Sequence, residues 1–468
     1  MKAPQENAPP RSTFPPGPRG AGLTRQALRR HRWALLGPFA TQCLAATVIT
    51  AMLTTSWSLS AARLTPDQRH ALAATDIADA AGVFTGNAVY LSILMVGVTM
   101  TAAIARQARD IALLRAVGAT PGQIRRSVAR QAAIVAVPAA ALGFPLGLAA
   151  GWAWLAALTD HGLVPAAVGY EPALLALPIV IGIEVVTSVV GALVAAIRPS
   201  RVPPATAMSE SATRRPAGSA VRTTVGLVLL AGGAVLSAVV SGLAADQADD
   251  AALFVILAMC IGVGLLGPVL LGAAARLARP LLHAAGGTGR LAGDTLVSQS
   301  RALSSALIPL VLAGSFAGVK VASHTTAAHV TGVSDPAADI WLDYAGTAVF
   351  VAFAAVGALN TLLAVSVGRQ RDLALMRLAG ATRARVLAVL TCEAGMVLGT
   401  ALVLAAGVAL ATLVPLIHTA LHTWTPHVPP AHLAFAVLAG AAVVGAGTVL
   451  PAAVLTRRPA IESIEGPP

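Results

Sequence analysis

Lysine is nearly missing from this chain: Lys2 and Lys320 are the only two in 468 residues. Charged residues of all kinds make up 11% of it, against about 25% in soluble domains. That shortage excludes an ordinary water-soluble globule. Cysteine is scarce as well. Cys43, Cys260 and Cys392 lie in or beside apolar runs and form no CxxC pair, which excludes a disulfide framework and a thiol metal or redox centre. They read as small buried hydrophobes. Catalytic signatures are missing too. There is no GxxxxGK[ST], no Ser–His–Asp elbow and no HExxH. The nearest glycine-rich loop, GGTGR at Gly286–Arg290, lacks the Lys-Ser/Thr pair that holds phosphate and magnesium. The chain is therefore expected to be no enzyme, to bind no cofactor and to hydrolyse no ATP itself.

What is present is apolar. Hydrophobic residues are 56% of the chain and the mean hydropathy is +0.76. A bilayer core asks for about 20 apolar residues per helix. Ten runs meet that: Trp33–Thr54, Val83–Ala105, Ala132–Leu158, Ala173–Ile197, Thr223–Ala244, Ala251–Ala275, Leu303–Ala322, Asp343–Val367, Ala394–Val414 and His432–Leu455. The expected class is an all-α integral membrane protein. Arginine sets its orientation. With a cytoplasmic N-terminus, 29 of the 32 basic residues fall on inner segments, two (Arg63 and Arg69) fall outside, and Lys320 lies within a span. The outer loops instead collect acids, among them Asp246, Asp249, Asp250, Asp335 and Asp339. Both termini are expected in the cytoplasm. The net charge of +12 is then a topology signal, and nucleic acid is not an expected partner.

Residues 1–22, rich in proline, are expected to be disordered and not a cleavable signal peptide, because the first apolar run is too long. Leu23–His31, LTRQALRRH, reads as a short basic amphipathic stretch along the inner surface or as a plain charged flank.

One charged sentence occurs twice. RDIALLRAVGAT at Arg109–Thr120 and RDLALMRLAGAT at Arg371–Thr382 agree at eight of twelve positions, 262 residues apart. Each follows the second span of a four-span set, and each set closes on a basic, proline-containing tail, RPSRVPPATAM from Arg198 and TRRPAIESI from Thr456. A two-span hairpin with the acidic outer loop ADQADD at Ala245–Asp250 separates them. The expected plan is 4+2+4: a first repeat over 23–212, a hairpin over 213–290 and a second repeat over 291–468. The repeats are parallel, because an even number of spans lies between them. Within each sentence the second span is expected to run on as a stalk, ended by Gly118 or Gly380 as C-cap. Thr120 or Thr382 then caps a second, short helix, TPGQIRRSVARQ in the first copy. Such a stiff, polar, protruding corner suits docking, and two copies suit a two-fold partner.

These residues resemble a known family. The pattern R-[DE]-[IL]-A-L-[LM]-R-x-x-G-A-T between second and third spans is similar to the signature of FtsX/MacB-type permease domains, membrane subunits of a class of ABC transporters. The segment GRLAGDTLVSQSRALSSALIP before span seven is similar to the start of such a domain. The ten-span plan is similar to that of BceB-type permeases. The resemblance covers the chain from about Leu23. It implies that Gly118–Arg130 and Gly380–Cys392 act as coupling helices on a cytoplasmic ABC ATPase, in two copies that use ATP and magnesium. Arg109, Asp110, Arg115, Gly118, Thr120 and Arg125, with Arg371, Asp372, Arg377, Gly380, Thr382 and Arg385, are the coupling residues it implies. Two departures stand out. The family's large extracytoplasmic domain is missing, since the outer loops Thr55–Gly82 and Ser323–Leu342 are short. The copies also differ at their margins, with Gly368 for Arg106 and Glu393 for Gln131.

A few intramembrane polar residues remain. Glu184 lies in the middle of span four, where a charge costs about 2.5–3.5 kcal/mol. It is expected to pair with Lys320, line a path, or sit protonated between helices. Gln42 and Asn360 read as interhelical hydrogen-bonding groups. His418, His422, His427 and His432 cluster near the last outer loop, but the prolines there break the segment and no metal site is expected. Three functions are compatible with these residues. The first is a permease exporting or extracting an amphipathic or lipid-like substrate or an antimicrobial peptide through the lipid phase. The second is a ligand-sensing permease of the same family. The third is a proton-coupled carrier using Glu184, for which the doubled sentence has no purpose. Each places the chain in the bacterial cell membrane.

Overall fold

The computed structural model describes residues 35–73, 77–197, 200, 219–242, 245–284 and 286–457. The N-terminal tail, the Leu23–His31 stretch and nearly all of both basic tails lie outside the described residues. Among the described residues there is no strand. The helices are α1 (Leu36–Ala61), α2 (Pro66–Ala73), α3 (Ile77–Arg106), α4 (Ala108–Ala116), α5 (Pro121–Asp160), α6 (Leu177–Ala196), α7 (Ser219–Val240), α8 (Ala245–Leu277), α9 (Arg279–Ala284), α10 (Gly286–Leu303), α11 (Leu307–Thr331), α12 (Ala337–Gly368), α13 (Gln370–Leu378), α14 (Arg383–Leu421) and α15 (Pro430–Leu455). Ten of these are long and apolar enough to cross a membrane: α1, α3, α5, α6, α7, α8, α11, α12, α14 and α15. Exposed large apolar side chains on their outer faces, such as Leu227 and Val228 on α7 and Phe435 and Leu438 on α15, fit a lipid environment.

The two four-helix sets pack by one rule. In the first, α1 lies against α3 and α5, and α6 lies against α3 and α5. In the second, α11 lies against α12 and α14, and α15 lies against α12 and α14. Small residues let the first and third spans of each set approach closely. A Cβ on Gly147 would sit 2.5 Å from Thr50 Cβ, and one on Gly314 would sit 2.8 Å from Ala405 Cβ. The α7–α8 hairpin packs mainly on the second set, through α11 and α14. The sets meet along their second spans, α3 against α12. Tyr90 packs on Phe350, which stacks on Phe316. At the outer end an aromatic ladder joins the sets, with Phe84 on Trp154, Trp154 on Trp341 and Trp341 on His161.

Several local expectations change. The short helix after Thr120 is not a separate element. α5 runs unbroken for 40 residues and α14 for 39, about 60 Å each, so each corner helix is the cytoplasm-side start of the third span. Pro138, Pro145 and Pro415 are carried within these helices. The GGTGR segment is the first turn and more of α10, not a loop. The acidic ADQADD segment is the start of α8. The outer loop expected over Ser323–Leu342 shrinks to Gly332–Pro336, because α11 and α12 extend past their apolar windows.

Candidate functional site

The second span of each set breaks two residues before the repeated sentence. Gln107 and Arg369 both take a bridge-region backbone, φ −90°, ψ 3° and φ −93°, ψ 5°. A nine-residue helix follows in each copy, α4 and α13. Both end identically. Gly118 at φ +99° and Gly380 at φ +90° adopt a conformation that L-residues rarely reach. The Gly118 N–H donates to Arg115 O at 3.0 Å and the Ala119 N–H to Leu114 O at 3.0 Å. In the second copy the Gly380 N–H donates to Arg377 O and the Ala381 N–H to Met376 O, each at 3.0 Å. This pair of bonds is the Schellman motif, which satisfies the last carbonyls of a helix.

The chain then turns straight into the third span. Thr120 Oγ1 accepts the Gln123 N–H at 3.3 Å, and Gln123 Oε1 accepts the Thr120 N–H at 2.9 Å, a complete capping box. Thr382 Oγ1 accepts the Arg385 N–H at 3.3 Å, and Arg385 has no oxygen to return the bond. Both corners lie on one side of the bundle, since six crossings separate them, and that side is the arginine-rich one.

The corners carry exposed apolar tips. Val117 is 90% exposed, and Leu113 and Leu114 on α4 and Leu375 and Leu378 on α13 are also exposed. Leu113 and Leu375 occupy equivalent positions. In the sequence Leu113, Leu114 and Val117 were visible as apolar residues mixed with the charges of the sentence, but they were not counted among the coupling residues.

The other expected site residues divide. Arg371, Asp372, Thr120, Thr382 and Arg385 are exposed at the corners, while Asp110, Arg115 and Arg377 are half-buried. Arg109 lies on α4. Arg125 turns inward, and its Nε–H donates to Ser200 Oγ at 2.9 Å, tying the corner to the end of the fourth span. Lys320 does not serve Glu184. Its ammonium donates to Asp343 Oδ1 at 3.2 Å, on the neighbouring span. Asp343 also meets His324 Nε2 at 2.9 Å, and His324 Nδ1 meets Asp335 at 2.7 Å. Glu184 is wholly buried, and among the described residues neither of its carboxyl oxygens has a hydrogen-bond partner. The side chain of Gln42 is likewise buried and has no hydrogen-bond partner among the described residues. Among the described residues no three His, Cys, Asp or Glu side chains converge as a metal site would require; His418 stacks on Trp424, and His427 on His329.

The FtsX-like permease C-terminal family matches residues 82–204 and 344–460, each stretch holding one corner and together about half of the 468 residues. The chain belongs to the FtsX-like permease family. It is accordingly an ABC transporter permease, a transport component and a multi-pass protein of the cell membrane. FtsX-like permeases generally partner with cytoplasmic ABC ATPases. A comparison with curated proteins gives no significant match.

Proposed function

We propose that this permease couples ATP hydrolysis in two separate cytoplasmic ATPase subunits to export or extraction of an amphipathic or lipid-like substrate or an antimicrobial peptide. One observation carries the reading: the same helix–glycine–threonine–helix corner stands twice on the arginine-rich side, each with exposed apolar side chains. Each corner docks one ATPase subunit, and ATP and magnesium bind in those subunits. Because α5 and α14 run unbroken from corner to outer face, a push at Thr120 or Thr382 moves a rigid rod across the bilayer. The exposed, Ala-, Val- and Leu-rich outer faces of the spans suit a substrate that travels in contact with lipid.

The test is co-purification. The tagged chain is co-expressed with the ABC ATPase encoded beside it, as the unaltered protein and as the double variant Gly118→Pro, Gly380→Pro. Proline fixes φ near −65°, which neither corner tolerates. ATPase retained by the unaltered chain and lost by a variant that still inserts supports docking at the corners. Equal retention by both, or by neither, refutes it.

A further inference from the structure

We propose that Arg369 and Glu393 are positioning residues that make the second corner a rigid lever, while the first corner, held by Gln107 and Gln131, acts as a hinge. The proposal rests on the ATPase-docking reading above and assigns the two corners unequal parts in it. The two residue pairs are equivalent by the same 262-residue offset that relates the repeated sentences. In each copy the first residue of the pair sits at the break between second span and corner helix. The second sits on the third span, eleven residues beyond the capping threonine. Each pair therefore fastens the two arms of its corner together, about three turns above the tip.

The fastenings differ in kind. In the first copy Gln107 Nε2 donates to Gln131 Oε1 at 3.4 Å, a single long bond between neutral amides. In the second copy the Arg369 guanidinium grips the Glu393 carboxylate with both terminal nitrogens. Nη1 donates to Oε2, and Nη2 to Oε1 at 3.1 Å. Their side chains are only 8% and 4% exposed. Fork-to-fork pairing fixes direction as well as distance. Buried in an apolar wall of Leu303, Leu373, Leu390 and Val397, neither charge can leave the other without standing unpaired, which is strongly unfavourable. A neutral amide pair carries no such penalty, so the arms of the first corner part more readily. The same backbone break at 107 and 369 thus flexes in one copy and is locked in the other.

The test uses the full chain in lipid nanodiscs, with Cys43, Cys260 and Cys392 changed to alanine. A nitroxide is placed on Val117→Cys or on Ala379→Cys, the equivalent cap positions. The label at 379 is expected to be the less mobile. The double variant Arg369→Gln, Glu393→Gln transplants the pair that the first copy already accommodates, and shifts the 379 spectrum to that seen at 117. The converse, Gln107→Arg with Gln131→Glu, immobilises the label at 117. The reversal Arg369→Glu, Glu393→Arg restores the second corner should the glutamine pair misfold there. Equal mobility at 117 and 379 in the parent protein, or a 379 spectrum indifferent to the glutamine pair, overturns the latch.

The second readout is ATPase activity of the associated subunits at saturating permease, measured separately from the affinity of association. The Arg369→Gln, Glu393→Gln variant is expected to lose permease-stimulated activity about fivefold or more with unchanged association, and Gln107→Ala with Gln131→Ala to lose little. Equal loss from both variants refutes the lever and hinge assignment. If no ATPase associates with the parent chain, the docking reading falls and the lever role with it, whereas the spectra still report whether the latch stiffens the corner.

Discussion

Replacing Gly118 or Gly380 isolates backbone conformation from packing. A Cβ built at either position meets nothing within 4 Å among the described residues, so alanine there is not penalised by contact. The whole cost comes from φ, +99° and +90°. An L-residue held in the left-handed region costs about 1–2 kcal/mol, with asparagine tolerated best. Valine, branched at Cβ, does worse than alanine. Proline cannot enter the region at all. The expected order at both corners is glycine, asparagine, alanine, valine, proline. A local loss of 1–2 kcal/mol multiplies opening by about 5–30. Hydrogen exchange of the amides at Gly118, Ala119 and Gln123 reads that opening directly, because each donates one of the bonds that define the corner. Gly118→Ala and Gly380→Ala should each accelerate exchange at their own corner by about 5–30-fold and leave the other corner unchanged, since distant sites act independently. Alanine and valine exchanging like glycine would refute the argument that conformation alone selects glycine. So would a corner at which only valine is harmful, because that outcome would indicate a hidden steric contact.

Three further outcomes follow from the bundle. Glu184→Met removes two buried oxygens that have no partner among the described residues and should raise stability by about 1–3 kcal/mol, seen as a higher unfolding midpoint in detergent; a lower midpoint would mean that the carboxyl is satisfied in the folded membrane protein. His324→Phe should cost about 1–2 kcal/mol, because one imidazole bridges Asp335 and Asp343 across α11, α12 and their connection, and Asp335→Asn should be milder; a neutral result for His324→Phe in thermal unfolding would dismiss the bridge. Gly346→Ala places a Cβ 2.6 Å from the Phe84 ring and should destabilise by about 1–3 kcal/mol, with rescue by Phe84→Leu; a destabilisation that Phe84→Leu fails to relieve would place the strain elsewhere.

The corners were legible because their chemistry is local. A glycine that must be left-handed, a threonine that must cap and a Schellman pair of bonds all fall within seven residues, Leu114 to Thr120, and the sentence states them twice. Helix lengths were less legible. Hydropathy stops at Arg125, Arg126 and Arg130, but backbone hydrogen bonding runs through them from Pro121 to Asp160, since a helix needs continuous bonds and not continuous grease. Pairing of Lys320 with Glu184 was one of three alternatives left open for a related reason. Both stood out as intramembrane charges, while Asp343, the actual partner, sat at the very edge of a window read as a span and attracted no notice. The Gln131-to-Glu393 difference was visible in the sequence, but its meaning required the partner position 24 residues away, where Gln107 becomes Arg369. Two substitutions at distant positions become one exchange of an amide pair for an ion pair only when the corner folds them together.

The interface between the sets shows why such divergence is possible. Phe84 packs over Gly346, and Met95 Sδ lies 2.7 Å from where a Cβ on Gly357 would stand. Both pairs are separated by the repeat offset of 262, so each large residue faces its own counterpart across the axis between α3 and α12. In a dimer of identical chains that position would meet itself, and two phenylalanines would collide or two glycines would leave a gap. Joined in one chain, the copies have become complementary instead: the first supplies the bulk and the second the space. The same freedom explains the two latches. A symmetric dimer must fasten both corners alike, whereas a fused pair can keep one corner shape twice and fasten it differently on each side. Gly118 and Gly380 keep the same left-handed conformation in both copies. The side chains that decide how far each corner gives are the ones that have parted.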